Sequence, residues 1–109
     1  MRAMVPMALV LALPAAAQDA PEGQALTYDC EGGSALQVAY INPPGGESYA
    51  VVAYGGQLIP MKSGPTGSGV RYVSLGLPEA LVWHTKGDQG FLARDADMAM
   101  LREGCVARG

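Results

Sequence analysis

Two glycine-rich segments hold the polar side chains that are best placed for chemistry or binding. In residues 67–72, Ser68 lies between two glycines, and residues 83–88 contain His84 and Lys86. Glycine lets another molecule approach the backbone closely, because no side chain obstructs it. The pattern is typical of hairpin tips that present polar donors. It is also ordinary loop composition, in which Lys86 is a solvated turn lysine.

Nucleophilic catalysis has weak support in these segments. A triad of Ser68, His84 and Asp88 can be written, with His84, the only histidine, as the general base. Those residue types occur in most sequences, however, and no strand-turn-helix elbow surrounds Ser68. A histidine on the surface or on a barrel wall is the better interpretation of His84. We therefore expect no catalytic residues, and a protein that is not an enzyme.

The sequence gives equally weak support for a metal or cofactor site. The acid pairs Asp29/Glu31 and Asp95/Asp97 flank turns, where carboxylates commonly accept hydrogen bonds from the backbone. A calcium loop needs more ligands at set spacing than either pair offers. Two cysteines and one histidine are also too few for a tetrahedral zinc site without help from acids. We expect no metal and no cofactor.

Length and charge exclude several classes of protein. The chain has 109 residues, with 7 Lys and Arg against 10 Asp and Glu, a net charge of -3 and a pI near 4.9. An acidic chain without a basic cluster is a poor nucleic-acid binder. Half of the residues are hydrophobic, which disfavours disorder. One small domain fits this length.

Residues 1–17 have the pattern of a secretory signal peptide. Arg2 precedes an apolar run, and three alanines end at Ala17, the expected cleavage point. The run is shorter than the roughly 20 residues of a membrane-spanning helix. The first cysteine is Cys30, so a lipid anchor at the cleavage point is disfavoured. We expect an exported, periplasmic protein without a membrane anchor; removal of Arg2 leaves it a net charge of -4.

Cys30 and Cys105 lie near the two ends of the expected mature chain. Export places them in an oxidising compartment, where a disulfide is expected. A redox or metal pair is the alternative, but the chain has no C-x-x-C motif to support it. A disulfide is useful here because a domain of this size has a thin core.

The elements that position these residues are short strands. Residues 18–24 are interpreted as a flexible lead-in, and residues 25–109 as one domain whose hydrophobic period is two. Seven or eight strands with frequent turns predict an all-β sandwich or small antiparallel barrel, with the disulfide joining its first and last strands. Side chains should fill such a barrel and leave little room for a ligand cavity. Pro60 suggests an edge or a bulge, and the last segment could be a strand or a short helix. The predicted strands are residues 25–30, 35–41, 48–54, 57–61, 70–75, 80–85, 91–94 and 98–105.

Four segments in order along the chain carry a family resemblance. Residues 28–33 (Tyr-Asp-Cys-Glu-Gly-Gly) look like a Y-x-C-[DE]-G-G motif, and residues 68–72 (Ser-Gly-Val-Arg-Tyr) look like S-G-x-x-Y. Residues 85–87 (Thr-Lys-Gly) look like the end of Y-x-x-x-T-K-G, and Cys105 matches a closing cysteine. Together they resemble the periplasmic and membrane-bound inhibitors of c-type lysozyme, over residues 28–105. Leu81 stands where the last motif has tyrosine.

The resemblance implies a small antiparallel β-barrel that binds c-type lysozyme. Ser68 and Lys86 would enter the substrate cleft, where lysozyme holds one protonated and one ionised carboxyl group. A lysine ammonium suits the ionised group, and a serine hydroxyl can donate to one and accept from the other. C-type lysozymes are strongly basic, so an acidic inhibitor would be steered toward them. The contacting residues implied are Ser68, Gly69, Arg71, Tyr72, Thr85, Lys86 and Gly87.

Other interpretations of the same residues remain open. Tyr72 and Trp83 are also typical of sheet packing, and Arg71 could simply flank its loop. The same fold could serve as an envelope module that binds another protein or peptidoglycan. A small-ligand carrier would require an interior pocket. The resemblance itself implies lysozyme as a protein partner, with no nucleic acid and no small-molecule substrate.

Overall fold

Eight antiparallel strands, each paired with the next, close into a barrel because the first strand also pairs with the last. The computed structural model describes residues 22–64 and 66–108. The all-β barrel expected from the period of two is confirmed. A 3-10 turn, Glu31–Gly33, joins the first two strands. The strands are β1 (Glu22–Asp29), β2 (Ala35–Asn42), β3 (Tyr49–Tyr54), β4 (Gln57–Gly64), β5 (Val70–Ser74), β6 (Leu81–Lys86), β7 (Gln89–Arg94) and β8 (Met100–Ala107).

The boundaries differ from the prediction at a few ends. Strand β1 begins at Glu22, so residues 22–24 belong to the barrel and not to a flexible lead-in. Strand β4 continues to Gly64, because its last residues pair with β5. The last segment is a strand and not a helix, since it pairs with both β7 and β1. The signal-peptide prediction and residues 18–21 lie outside the described residues.

Pro60 lies inside a strand that is paired on both sides, so the expectation of an edge or a bulge there was wrong. It is opposite Val51 in β3, and neither ladder of β4 shifts register. Its carbonyl accepts the N–H of Leu75 at 2.9 Å, which places its nitrogen on the β5 side as well. Because proline has no N–H, Pro60 cannot return a hydrogen bond to the carbonyl of Leu75, and the ladder between β4 and β5 begins one residue later, at Met61.

The core is built on hydrogen-bonded aromatic rings. Trp83 is fully buried, and its Nε1 donates to the hydroxyl of Tyr40 at 2.8 Å. The same hydroxyl lies 2.6 Å from that of Tyr28, whose ring meets the indole edge-on at 4.9 Å. Burial raises the pKa of the Tyr40 phenol far above its usual range. On β7, an added Cβ at Gly90 would come within 2.7 Å of the indole, so glycine there lets the ring lie against the wall.

The barrel closes at a short seam between β1 and β8. Only two residue pairs join these strands, Tyr28 with Ala107 and Asp29 with Val106. The disulfide Cys30–Cys105 lies directly beside the second pair, which confirms the predicted bridge. The side chain of Arg108 adds an ion pair to Asp29 at 2.9 Å. A covalent bond thus fastens the strand pairing that has the fewest paired residues.

Candidate functional site

The two glycine-rich segments meet at one rim of the barrel. Strand β5 runs down from the rim and β6 runs up to it, and their register pairs Val70 with Thr85, which sets Gly69 beside Lys86. Gly69 has a φ of +73°, and an added Cβ there would lie 2.2 Å from the carbonyl oxygen of Thr85. We name residues 66–69 the Ser68 loop and residues 86–88 the Lys86 turn. The Ser68 loop therefore packs directly on the end of β6.

His84 holds the Ser68 loop from the outer wall. Its Nε2 lies 3.0 Å from the carbonyl oxygen of Ser68, so this nitrogen carries the proton and donates it. On the other side, the imidazole stacks on the ring of Phe91, with centroids 5.3 Å apart. The hydroxyl of Ser68 is exposed and makes no hydrogen bond within residues 22–64 and 66–108. It is therefore free to bond to a partner.

Lys86 differs from the other basic residues of the described chain. Four Arg and Lys side chains there form ion pairs with carboxylates: Lys62 with Glu47, Arg71 with Asp95, Arg94 with Asp97, and Arg108 with Asp29. Arg102 lies over the ring of Tyr54, 5.0 Å from its centroid. Lys86 is exposed and has no ion-pair partner among the described residues. An acidic chain thus presents one uncompensated ammonium at its rim.

Three residues of the implied contact set lie away from the rim surface. Tyr72 and Thr85 point into the barrel and are only 5% and 9% exposed. Burial raises the pKa of the Tyr72 phenol, as expected for a core tyrosine. Arg71 points outward, but it crosses β6 to bond with Asp95, so its charge is satisfied within the chain. Tyr72 and Thr85 therefore pack inside the barrel and Arg71 lies on its outer wall, and their contact with a partner stays a prediction.

The position where this chain departs from the motif also lies inside the barrel. Leu81 is buried in the core cluster, at the opposite end of β6 from Lys86. A side chain there cannot reach the rim, because five residues of strand span roughly 17 Å. The replacement of tyrosine by leucine therefore changes the core and leaves the rim surface as it is.

The Ser68/His84/Asp88 triad does not assemble. His84 bonds to the backbone carbonyl of Ser68 rather than to its hydroxyl. No hydrogen bond joins His84 to Asp88 within the described residues. A general base must reach the proton that it removes, so this arrangement offers no activated nucleophile.

The acid pairs that could suggest a metal site are occupied by arginines. The guanidinium of Arg108 hydrogen-bonds to Asp29 and holds the pKa of that carboxyl below its usual value. Asp97 accepts from the backbone N–H of Ala99 and from Arg94, and its pKa is lowered in the same way. In the part of the chain that the structure describes, no group of three or more potential ligands could hold a metal ion.

A surface feature that the sequence reasoning missed lies beside the rim. A groove of about 520 Å³ runs along the outer wall across β6, β7 and β8. The sequence does contain a signal for this groove in the alternation of inward and outward side chains along the three strands. Outward positions usually carry polar residues, but here they carry His84, Phe91 and Val106. We call it the wall groove and define it by His84, Lys86, Phe91, Met100, Glu103 and Val106.

The sequence of this chain is similar to that of known proteins. A family model described as "Membrane-bound lysozyme-inhibitor of c-type lysozyme" matches residues 28–100. A protein of Cupriavidus necator named "Membrane-bound lysozyme inhibitor of C-type lysozyme" is 38% identical over 72 residues. The match covers 66% of this chain and 54% of that protein, so the chain spans about half the length of this relative.

The barrel also resembles a solved structure. The crystal structure of a periplasmic lysozyme inhibitor of C-type lysozyme from Salmonella typhimurium superimposes with a TM-score of 0.73. The superposition covers 80% of this chain and 99% of the other, at 23% sequence identity. At that identity the likeness shows the fold. Within residues 22–64 and 66–108, no helix has the length and apolar character needed to cross a membrane.

Proposed function

The chain belongs to the family of membrane-bound lysozyme inhibitors of c-type lysozyme, and we propose that it is itself a stoichiometric, non-catalytic inhibitor of c-type lysozyme. In this proposal the Ser68 loop and the Lys86 turn enter the substrate cleft. The observation that carries it is the exposed ammonium of Lys86 beside the exposed hydroxyl of Ser68 on one rim, both without a partner among the described residues.

The two side chains suit the two carboxyl groups of the cleft. Lysozyme keeps one carboxyl protonated and the other ionised. The ammonium of Lys86 would donate to the ionised group, where exclusion of water strengthens the attraction. The hydroxyl of Ser68 can accept from the protonated group and donate to its neighbour. Gly69 and Gly87 bring the backbone close, since neither carries a side chain.

The remaining charge of the chain favours the same partner. Among the described residues, the exposed charges other than Lys86 are acidic or paired. The net charge is -3 for the full chain and -4 once Arg2 is removed with residues 1–17. A negative surface speeds encounter with a basic enzyme, and the effect weakens as salt rises. The association rate with lysozyme should therefore fall as ionic strength increases.

We also propose that the chain acts in the periplasm after removal of residues 1–17. The names of the C. necator relative and of the S. typhimurium neighbour place those proteins at a membrane or in the periplasm. The mass of the protein purified from a periplasmic extract tests this, because cleavage after Ala17 leaves Gln18 as the first residue. A mass that retains residues 1–17 would contradict the proposed processing.

The test of inhibition compares two lysine variants. Purified protein with its disulfide intact is titrated into c-type lysozyme acting on labelled peptidoglycan. Lys86→Ala should weaken binding by about 2–5 kcal/mol, roughly 30- to 4,000-fold, because a buried charge pair is broken. Lys62→Ala is the matched control: it removes the same charge from an exposed lysine on β4 that already pairs with Glu47.

The outcome separates inhibition from an envelope-binding role. Equal affinity of wild type and Lys86→Ala for lysozyme would contradict the role of this side chain. No inhibition by the wild type at a large molar excess would refute the proposed function. A pull-down from an envelope extract then identifies the partner of the alternative module.

A further inference from the structure

The rim offers far fewer residues than the roughly 20–30 that a stable protein interface uses on each side. Its exposed tip consists of Ser68, Lys86, Asp88 and the small residues between them. A stable protein interface buries about 800 Å² on each side. Most of that area must come from a surface next to the rim. The wall groove is such a surface, since Lys86 lines both.

The groove has the composition of an interface centre. Met100 and Val106 are 46% and 43% exposed, and they line the groove together with the stacked rings of His84 and Phe91. Aromatic residues and methionine are enriched where interfaces bury their centre. The flexible thioether of methionine also adapts to the shape of a partner.

The charges around the groove point to one kind of partner. Asp88 in the Lys86 turn and Glu103 in the groove are exposed, and neither pairs with a cation within the described residues. The surface therefore carries one cation flanked by acids. Its complement is an acidic cleft surrounded by basic residues, and a basic enzyme with catalytic carboxylates has this pattern.

We infer that the wall groove is a second contact surface for lysozyme, and that it receives one lip of the cleft while Lys86 lies inside. This inference rests on the proposed function. His84 joins the two surfaces, because it stacks on Phe91 in the groove and donates to the Ser68 carbonyl at the rim. A partner bound in the groove would therefore contact His84, and through the hydrogen bond of His84 it would hold the Ser68 loop in place.

The test removes the exposed apolar side chains of the groove without adding charge. The double variant Met100→Ser with Val106→Ser should raise the Kd for c-type lysozyme about 10-fold or more, measured by titration calorimetry. The matched control is Leu58→Ser with Leu75→Ser. Leu58 is 73% exposed on β4, which lies across the barrel from β8, and Leu75 is also exposed. The control should change the Kd by less than about twofold.

Folding of each variant is checked by the emission of Trp83, the single tryptophan, which is buried in the core. Unchanged affinity of the folded groove variant, together with loss of affinity in Lys86→Ala, would overturn this inference and leave the proposed function intact. A wild-type chain that does not bind lysozyme would refute the proposed function first.

A second copy of this chain is the other candidate occupant of the groove. Sedimentation of the wild type and of the groove variant tests it. A wild-type dimer that the groove variant dissociates, with no change in lysozyme affinity, would also overturn the inference. A monomer in both cases, with weaker lysozyme binding by the groove variant, supports it.

Discussion

Gly69→Ala should disrupt the rim more than any other single methyl group added to it. Gly69 has a φ of +73°, in the left-handed region that side chains disfavour. The added Cβ would lie 2.2 Å from the carbonyl oxygen of Thr85, whereas ordinary contact begins at about 3.4 Å. Because that oxygen belongs to the backbone of β6, the Ser68 loop must move away by about 1 Å or more.

The expected loss of stability follows from two contributions. Left-handed backbone at a residue with a side chain costs about 1–2 kcal/mol. Movement of the loop also breaks the bond from His84 to the Ser68 carbonyl, worth about 0.5–1.5 kcal/mol. The free energy of unfolding should therefore fall by about 1.5–3.5 kcal/mol, and the Tm by about 6–28 °C for a domain of this size.

The assay measures unfolding and lysozyme inhibition on the same preparations. Gly67→Ala is the control, because it adds the same methyl group to the same loop where no atom lies within 4 Å and φ is not positive. Gly69→Ala should lose both stability and inhibition, and Gly67→Ala should keep both. A Gly69→Ala variant as stable and as inhibitory as the wild type would show that the loop does not pack on β6 in this way.

Three further changes test the barrel that supports the rim. Replacing Cys30 and Cys105 by Ala opens a bridge across 75 residues and should lower the free energy of unfolding by about 4–5 kcal/mol in urea titrations; equal stability would contradict the role of the bridge at the seam. Tyr40→Phe leaves the buried indole N–H without an acceptor, so it should cost about 1–3 kcal/mol by thermal unfolding, and a change below 0.5 kcal/mol, roughly the size of a surface substitution, would count against it. The hydrogen bonds from Arg108 lower the pKa of Asp29 in the folded state, so their stabilisation is present above the unfolded pKa and is lost as pH falls below about 4. Asp29→Asn should therefore lose less stability than the wild type between pH 7 and pH 3, and identical pH profiles would exclude this linkage.

The strand pattern was readable in the sequence because it depends on neighbouring residues. Alternation of apolar and polar side chains marked all eight strands, and glycine pairs marked the turns. The errors fell at strand ends and at Pro60, where pairing with a distant strand decides the outcome. Glu22 joins β1 because Asn42 lies opposite it. Nothing in the local sequence around Glu22 shows that partner.

The candidate site was readable only in part. Ser68 and Lys86 were named from their motifs, and the strand register places them on one rim. The same motifs also named Tyr72 and Thr85, whose side chains point into the barrel. The direction of a side chain depends on which face of the sheet becomes the interior, and a motif does not carry that information. The role of Ser68 and Lys86 in binding stays a prediction.

Local chemistry was enough to define the strands, the disulfide partners and the segments rich in glycine, since each depends on residue types at short spacing or on the presence of only two cysteines. Contacts between distant residues required the closed barrel. Only there does Arg71 meet Asp95, while Lys86 stays without a partner among the described residues and beside an apolar groove. The physical reason is that ion pairing and burial depend on distances across the barrel, which chain order does not specify.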